Sequence, residues 1–213
     1  MKTTTAQDET AAPPRRAAAP AHGLSTRERI VRSASLLMQR QGYDGTGIKQ
    51  ISREAEATLG SVYHFFPGGK QELAVAAVQH GDQEFADALR EVLAGEDDPG
   101  VAIIACCRML ADGLRASDWI EGCPVTATAL GTAGRAPDIQ QAAAEAFARW
   151  QDLVFDKLRQ PGTGIAEDDA RDLACTVIST LEGAELAAQV SRDDQPLRAA
   201  GKHLSRLIGS YRA

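Results

Sequence analysis

The side chains that could do covalent or metal chemistry in this chain are four cysteines, at positions 106, 107, 123 and 175, four histidines and scattered serines. Their spacing assembles no site. The cysteines form no C-x-x-C pair, so neither a zinc ribbon nor a dithiol redox motif is present. In a reducing compartment they are expected to be buried thiols that pack the core. Ser61 and His64 lie one helical turn apart, and Cys123 precedes a proline at a possible pocket. A catalytic triad also needs a third group to orient its base, and an oxyanion site. The chain shows no Gly-x-Ser-x-Gly elbow, phosphate loop or His-Glu-x-x-His. It also lacks the Glu-x-x-His pairs of a diiron bundle. His80 and Glu84 stand at i, i+4 without a second ligand pair, which reads as an exposed pair rather than a metal site. No catalytic residue, metal or cofactor is therefore assigned. The competing reading of the same residues is a small helical cysteine-dependent enzyme, or a regulator that senses redox state through a thiol.

A different chemistry gathers between Gly42 and Lys70. A short helix is expected from about Thr58 to Phe65. Leu59, Val62 and Phe66 would form its buried face, at i, i+3 and i+7. Gly60, Ser61, Tyr63 and His64 are left on the other side. A short helix presenting small and hydrogen-bonding groups can enter a major groove about 12 Å wide and read base edges. Direct readout falls to Ser61, Tyr63 and His64, with Gly60 permitting close approach. Phosphate contacts fall to Thr46, Lys49, Tyr63 and Lys70, the last at the positive start of a helix. Gln50 and Arg53 are read as solvated.

These groups need elements to hold them. Thr46 is expected to cap a helix running through Ile48, Ile51 and Ser52 to about Ala55, followed by a turn at Glu56 and Ala57. Pro67 stops the reading helix, and Gly68-Gly69 turn the chain into a long helix from Lys70 to about Leu93. Its stripe is Ala74, Val78, Gly81, Phe85, Leu89 and Val92. An earlier helix, capped by Ser25 or Thr26 with Glu28 close behind, carries Ile30, Ala34, Leu37, Met38 and Gln41 inward and ends at Gly42. Further helices are expected from about Pro99 to Ala116, from Pro137, along the stripe Ala170 to Ala188, and after Asp193 or Asp194.

The fold class expected is all-α, because helical stripes recur and no alternating β-branched run appears. Residues 1–24, rich in Ala, Pro, Thr and Arg, read as a disordered tail. Residues 25–72 read as a three-helix, helix-turn-helix domain, small enough to lean on the helices C-terminal to it. Residues 73–213 read as a helical bundle for ligand binding and dimerisation. The net charge of −6 divides unevenly. Residues 1–72 hold 10 Lys+Arg against 7 Asp+Glu, a net of +3, and the remainder holds 13 against 22, a net of −9. The basic excess lies with the candidate nucleic-acid motif. No stretch suits a membrane span or a signal peptide, so no membrane partner is expected and a cytoplasmic location is.

The ordered set Gly42-Tyr43, Thr46, Ile51, Val62-Tyr63-His64-Phe65 and Phe66-Pro67-Gly68-Gly69-Lys70 resembles the DNA-binding domain of the tetracycline-repressor (TetR) family of transcriptional regulators. Its Phe-Pro-Gly-Gly-Lys ending, together with Gly122-Cys123-Pro124-Val125, resembles the branch of lincomycin-resistance regulators. Two positions depart from that pattern. Glu56 occupies a turn position where such motifs have Gly, which implies a strained or differently shaped turn. Leu59 stands where the branch often has a basic residue, which implies one phosphate contact fewer. The resemblance implies a dimeric repressor that binds a palindromic double-stranded DNA operator and is released by a small, mostly hydrophobic effector, which the net of −9 over residues 73–213 would make uncharged or cationic. It places an effector pocket at Trp119, Cys123, Thr126, Phe147 and Trp150, where large aromatics mix with small residues. Ordinary packing is the alternative there. A homodimer interface is expected on the last two helices at Val177, Leu181, Ala184, Ala188, Leu204 and Leu207, with an internal core as the alternative for the same stripes.

Overall fold

Ser25 opens the first helix with a capping box. Its hydroxyl accepts from the Glu28 amide, and its own amide donates to Glu28 Oε2 at 2.7 Å. This is a computed structural model that describes residues 23–212. The expected tail therefore lies outside the described residues, apart from Gly23 and Leu24. Nine helices occur among the described residues, with no strand, as the periodicity required.

Helix α1 (Thr26–Gly45) is broken at Gly42, whose φ of 73° and ψ of 173° belong to a region open to glycine alone. The expected stop is thus present, and one further turn comes after it. Helix α2 (Ile48–Glu54) starts from Gly47, so Thr46 is not its cap. Helix α3 (Leu59–Phe65) is capped by Thr58, whose side chain accepts from the Ser61 amide at 3.0 Å. Helix α4 (Gly69–Ala94) runs on from the first three helices into the bundle of α5 (Pro99–Ala116), α6 (Pro124–Leu130), α7 (Pro137–Leu158), α8 (Glu167–Ser191) and α9 (Gln195–Ser210).

The sequence pattern does not announce helix α6, whose Thr and Ala residues read as space. Pro124 preorganises its first turn, Cys123 Sγ accepts from the Thr126 amide, and Thr128 donates to the Pro124 carbonyl at 2.9 Å. Its seven residues make too little periodicity to recognise. Helix α6 packs against α1, α4 and α7. A Cβ on Gly81 of α4 would lie 2.6 Å from Pro124 Cγ, so the close approach of α4 to α6 requires glycine there.

Helix α4 also packs along α7, where Trp150 is fully buried. The indole Nε1 donates to Asp82 Oδ1 at 2.9 Å, and Arg149 Nε donates to Asp82 Oδ2 at 3.0 Å. Phe85 and Phe147 meet the indole edge-on, at centroid distances of 4.6 and 5.1 Å. Helix α9 lies on α5 and α8. Val177, Leu181, Ala188 and Leu204 are buried in that packing, so these four belong to the internal core and not to an exposed interface. Ala184 is half-buried, and Leu207 is exposed. The outward side of α8 instead carries Gly183, Leu186, Ala187 and Val190.

Candidate nucleic-acid interface

Helix α3 is held by its buried side. Val62 and Phe66 are shut into the core of the first three helices, where Ile30, Met38, Ile51 and Leu73 are also fully buried. This fixes the opposite side outward. Gly60, Tyr63 and His64 are exposed there, and Ser61 is half-buried with its hydroxyl 2.9 Å from that of Thr58. Two of the three expected readers, Tyr63 and His64, therefore face out freely, while Ser61 shares its hydroxyl with the cap. Leu59 does not join the buried face: it is 38% exposed. It lies at the first turn, on the Tyr63 side of the helix, beyond the cleft that Val62 and Phe66 fill.

The turn before α3 closes as a Schellman motif. The Ala57 amide donates to the Ser52 carbonyl at 2.9 Å and the Glu56 amide to the Arg53 carbonyl at 3.2 Å. Ser52 Oγ returns a bond to the Ala57 carbonyl at 2.9 Å, and Arg29 Nε donates to the Ala55 carbonyl at 3.0 Å. Glu56 sits at the left-handed position with a φ of 50°. The turn thus keeps the shape a glycine would give it and places a strained residue in it.

The expected phosphate contacts divide. Lys49 is exposed. Thr46 is fully buried, and its hydroxyl donates to the Gly42 carbonyl at 2.8 Å, so it braces the broken end of α1 and presents nothing to a phosphate. Lys70 is half-buried, with Nζ 4.3 Å from the centre of the Tyr43 ring. Burial draws its pKa down, partly offset by the Asp44 carboxylate. The α4 start is less positive than expected, because Glu72 Oε2 accepts from the Gly68 amide at 2.7 Å.

Three polar contacts that the sequence did not reveal join α1 to the bundle on either side of α6. Gln39 donates to the Gly122 carbonyl, Arg40 Nε donates to Glu121 Oε1 at 2.9 Å, and Arg135 donates to the Asp44 carboxylate. The Arg135 pair holds the Asp44 carboxyl below the usual carboxylate range. Such pairs span 81 or more residues and leave no local signature.

The residues expected to line an effector pocket fall into separate settings. Phe147 and Trp150 belong to the α4–α7 aromatic cluster, and Trp150 has no exposed surface. Cys123 and Thr126 meet Glu182 of α8, which accepts from Thr126 Oγ1 at 2.7 Å. Burial raises the Glu182 carboxyl despite that bond and the thiol of Cys123. Trp119 is half-buried in the loop before α6, with a φ of 65°. Two surface grooves occur among the described residues, one lined by Arg27, Val31 and His80, the other by Gln71, Val75 and Asp138. None of the five expected residues lines either, so Trp150 is corrected to a packing residue.

Three of the four thiols are shielded by burial, whereas Cys175, expected in the core, is exposed on α8. Burial pushes Cys106 and Cys123 far up, and Cys107 up to about 12. A thiol so raised stays protonated and nucleophilically slow. His80 Nε2 lies 3.6 Å from Glu84 Oε1, but that nitrogen is itself buried and makes no hydrogen bond, so the expected exposed pair is not formed; no group of three metal-ligating side chains occurs among the described residues. No helix among them is long and apolar enough to cross a membrane.

The family comparisons agree with this architecture. Residues 30–77 match the model of bacterial regulatory proteins of the tetR family, and residues 99–203 match the C-terminal domain of LmrA/YxaF-like transcriptional regulators. The HTH-type transcriptional regulator LmrA of Bacillus subtilis is 34% identical over 172 residues, covering 81% of this chain and 90% of that protein. Among solved structures, a TetR transcriptional regulator from Chloroflexus aurantiacus superposes with a TM-score of 0.73 at 26% identity, covering 88% of this chain and 96% of that one. A cysteine mutant of the TetR-family regulator CifR, solved with a 26-base-pair operator duplex, shares the fold at a TM-score of 0.73 and 20% identity, over 87% of this chain and 97% of that one. With its helix-turn-helix unit, all-helical bundle and similarity to LmrA across most of both chains, the chain belongs to the TetR family of transcriptional regulators, in its LmrA/YxaF-like branch.

Proposed function

We propose that this regulator is a homodimeric repressor that binds a palindromic double-stranded operator and releases it when a small, mostly hydrophobic effector binds the helical bundle. The observation that carries the reading is α3 itself. One side is locked by buried Val62 and Phe66, which leaves Gly60, Tyr63 and His64 outward on a rigid support. A Cβ on Gly60 would meet only Thr58 Oγ1, at 3.6 Å. Nothing inside the protein demands glycine there, whereas close approach to a groove does.

One reading helix discriminates poorly against a genome, so two act across a two-fold axis. The outward residues of α8, Gly183, Leu186, Ala187 and Val190, with Leu207 of α9 and Tyr211 just past its end, supply the apolar surface for that pairing. They replace the buried stripe as the proposed interface. The effector would enter near Cys123, Thr126 and Phe147, and has to displace packed side chains to do so. The net of −9 over residues 73–213 favours an uncharged or cationic ligand.

A mobility-shift titration against a randomised duplex pool tests the reading. A selected palindrome bound by the dimer is the expected result, whereas the cysteine-enzyme alternative yields no sequence-selective shift. His64→Ala should relax sequence preference by about 1–3 kcal/mol at its base, and Lys70→Ala should weaken all duplexes alike. Equal loss on selected and random DNA for both variants would remove this division of roles.

A further inference from the structure

In the first three helices, the exposed large apolar side chains among the described residues are Leu59 and Tyr63, at 38% and 52% exposure. They stand four apart on α3, so they neighbour one another along one flank of the helix. Gly60 lies beside them, where an added Cβ would make only an ordinary contact with Thr58 Oγ1 at 3.6 Å. The result is an apolar strip of one leucine, one tyrosine ring and bare backbone, next to the polar edge of His64. Leucine here has no packing role to explain it, because Val62 and Phe66 already fill the cleft below. Nor can it contact a phosphate as a basic side chain would.

The edges of a B-DNA major groove are polar with one exception, the C5 methyl of thymine, and small apolar side chains recognise it by contact. We propose that Leu59, flanked by Tyr63, reads a thymine methyl in each half-site, and so determines specificity at that base pair. The proposal rests on the DNA-binding reading above and adds to it the identity of one base. A leucine seated on a methyl group removes both from water, and the discrimination it brings is independent of salt, unlike the phosphate contact it replaces.

The test uses the full-length protein and a duplex that it selects from a randomised pool. Each thymine of that duplex is replaced in turn by deoxyuridine, which lacks only the methyl. One position per half-site should lose about fourfold in affinity, and about fifteenfold when both half-sites are changed, the transfer value of one methyl-sized group each. Leu59→Ala should bind the thymine and uracil duplexes equally. At the same position 5-methylcytosine should bind the wild-type protein better than cytosine does, with no such difference for Leu59→Ala. The deoxyuridine scan needs no variant, so a folding defect cannot produce its result. A selected duplex indifferent to every uracil overturns the Leu59 assignment alone, as does an unchanged uracil penalty in Leu59→Ala. Failure to select or bind any duplex overturns the DNA-binding reading and this assignment together.

Discussion

Glu56→Gly should make the protein more stable. Glu56 holds the left-handed position of a Schellman turn, with its amide on the Arg53 carbonyl and the next amide on the Ser52 carbonyl. A side-chain-bearing residue in that conformation costs about 1–2 kcal/mol. Glycine removes the clash but raises unfolded-chain entropy by about 0.5–1 kcal/mol. The net gain is therefore about 0.5–1 kcal/mol, or about 1–4 °C in Tm for a chain of this length. Both turn hydrogen bonds are made by backbone groups and survive the change, so DNA affinity should hold. Gly42→Ala is the matched control. Its φ of 73° and ψ of 173° admit no side chain, and the substitution should lower stability by about 1–3 kcal/mol. Differential scanning calorimetry on both variants decides the matter. A lower Tm for Glu56→Gly, or a neutral Gly42→Ala, would refute the assignment of strain to the first position and of a glycine requirement to the second.

Asp82→Ala should cost about 2–4 kcal/mol, because it leaves the Trp150 indole N–H unpaired in the core and strands Arg149; denaturant titration followed by tryptophan fluorescence measures it. The Glu182 carboxyl is raised above 4.5 by burial, so the folded chain retains a proton that the unfolded chain has released. Stability should fall as pH rises from 4.5 through the raised value, and Glu182→Gln should flatten that slope in a pH series of melting curves. Under native conditions a thiol reagent should modify at most Cys175, the exposed cysteine, and leave Cys106, Cys107 and Cys123 intact; rapid modification of any of those three would revive the redox-sensing alternative. Leu186→Arg with Val190→Arg should give a folded monomer by gel filtration, whereas Leu181→Arg should unfold the chain, and a surviving dimer in the double variant would place the interface elsewhere.

The sequence was most legible where one helix carries its own period. The stripe Ala170, Leu173, Ala174, Val177 and Leu181 announces α8, and all five residues are buried. Periodicity says which side is apolar without saying what covers it. That is why Val177, Leu181, Ala188 and Leu204 read as a partner's surface when the packing among α5, α7, α8 and α9 already buries them. Leu59 fails in the opposite way: i, i+3 and i+7 spacing joins it to Val62 and Phe66, but over seven residues a helix offers too few positions to separate a flank from a buried face. Thr46 carries a hydroxyl suited to a phosphate, and only the position of the Gly42 carbonyl shows that it turns inward. Glu185 held an unused signal. It falls in step with Leu181 and Ala188, and a carboxylate on an inward stripe marks a polar site inside the bundle, beside Glu182 and Cys123.

The way the first three helices attach to the bundle bears on how an effector could act. Helix α4 meets α6 at Gly81 and Pro124, a contact too close for even one added carbon, which makes a hard pivot. Around it, α1 is tied down by Gln39 to Gly122, Arg40 to Glu121 and Asp44 to Arg135. The two ion pairs are substantially exposed, with Arg40 at 47% and Arg135 at 53% of side-chain surface, so solvent screens them and each holds weakly. Allosteric coupling between a small ligand and a distant site is about 1–3 kcal/mol. Breaking these ties therefore lies within what an effector can supply, whereas separating Asp82 from Trp150 at about 2–4 kcal/mol does not come as easily. A ligand that shifts α6 should accordingly turn α1 and the reading helix about the Gly81–Pro124 contact and keep the α4–α7 latch closed. On the effector reading proposed above, a modest binding energy would be spent first at these exposed α1 ties and last at the buried Asp82–Trp150 contact.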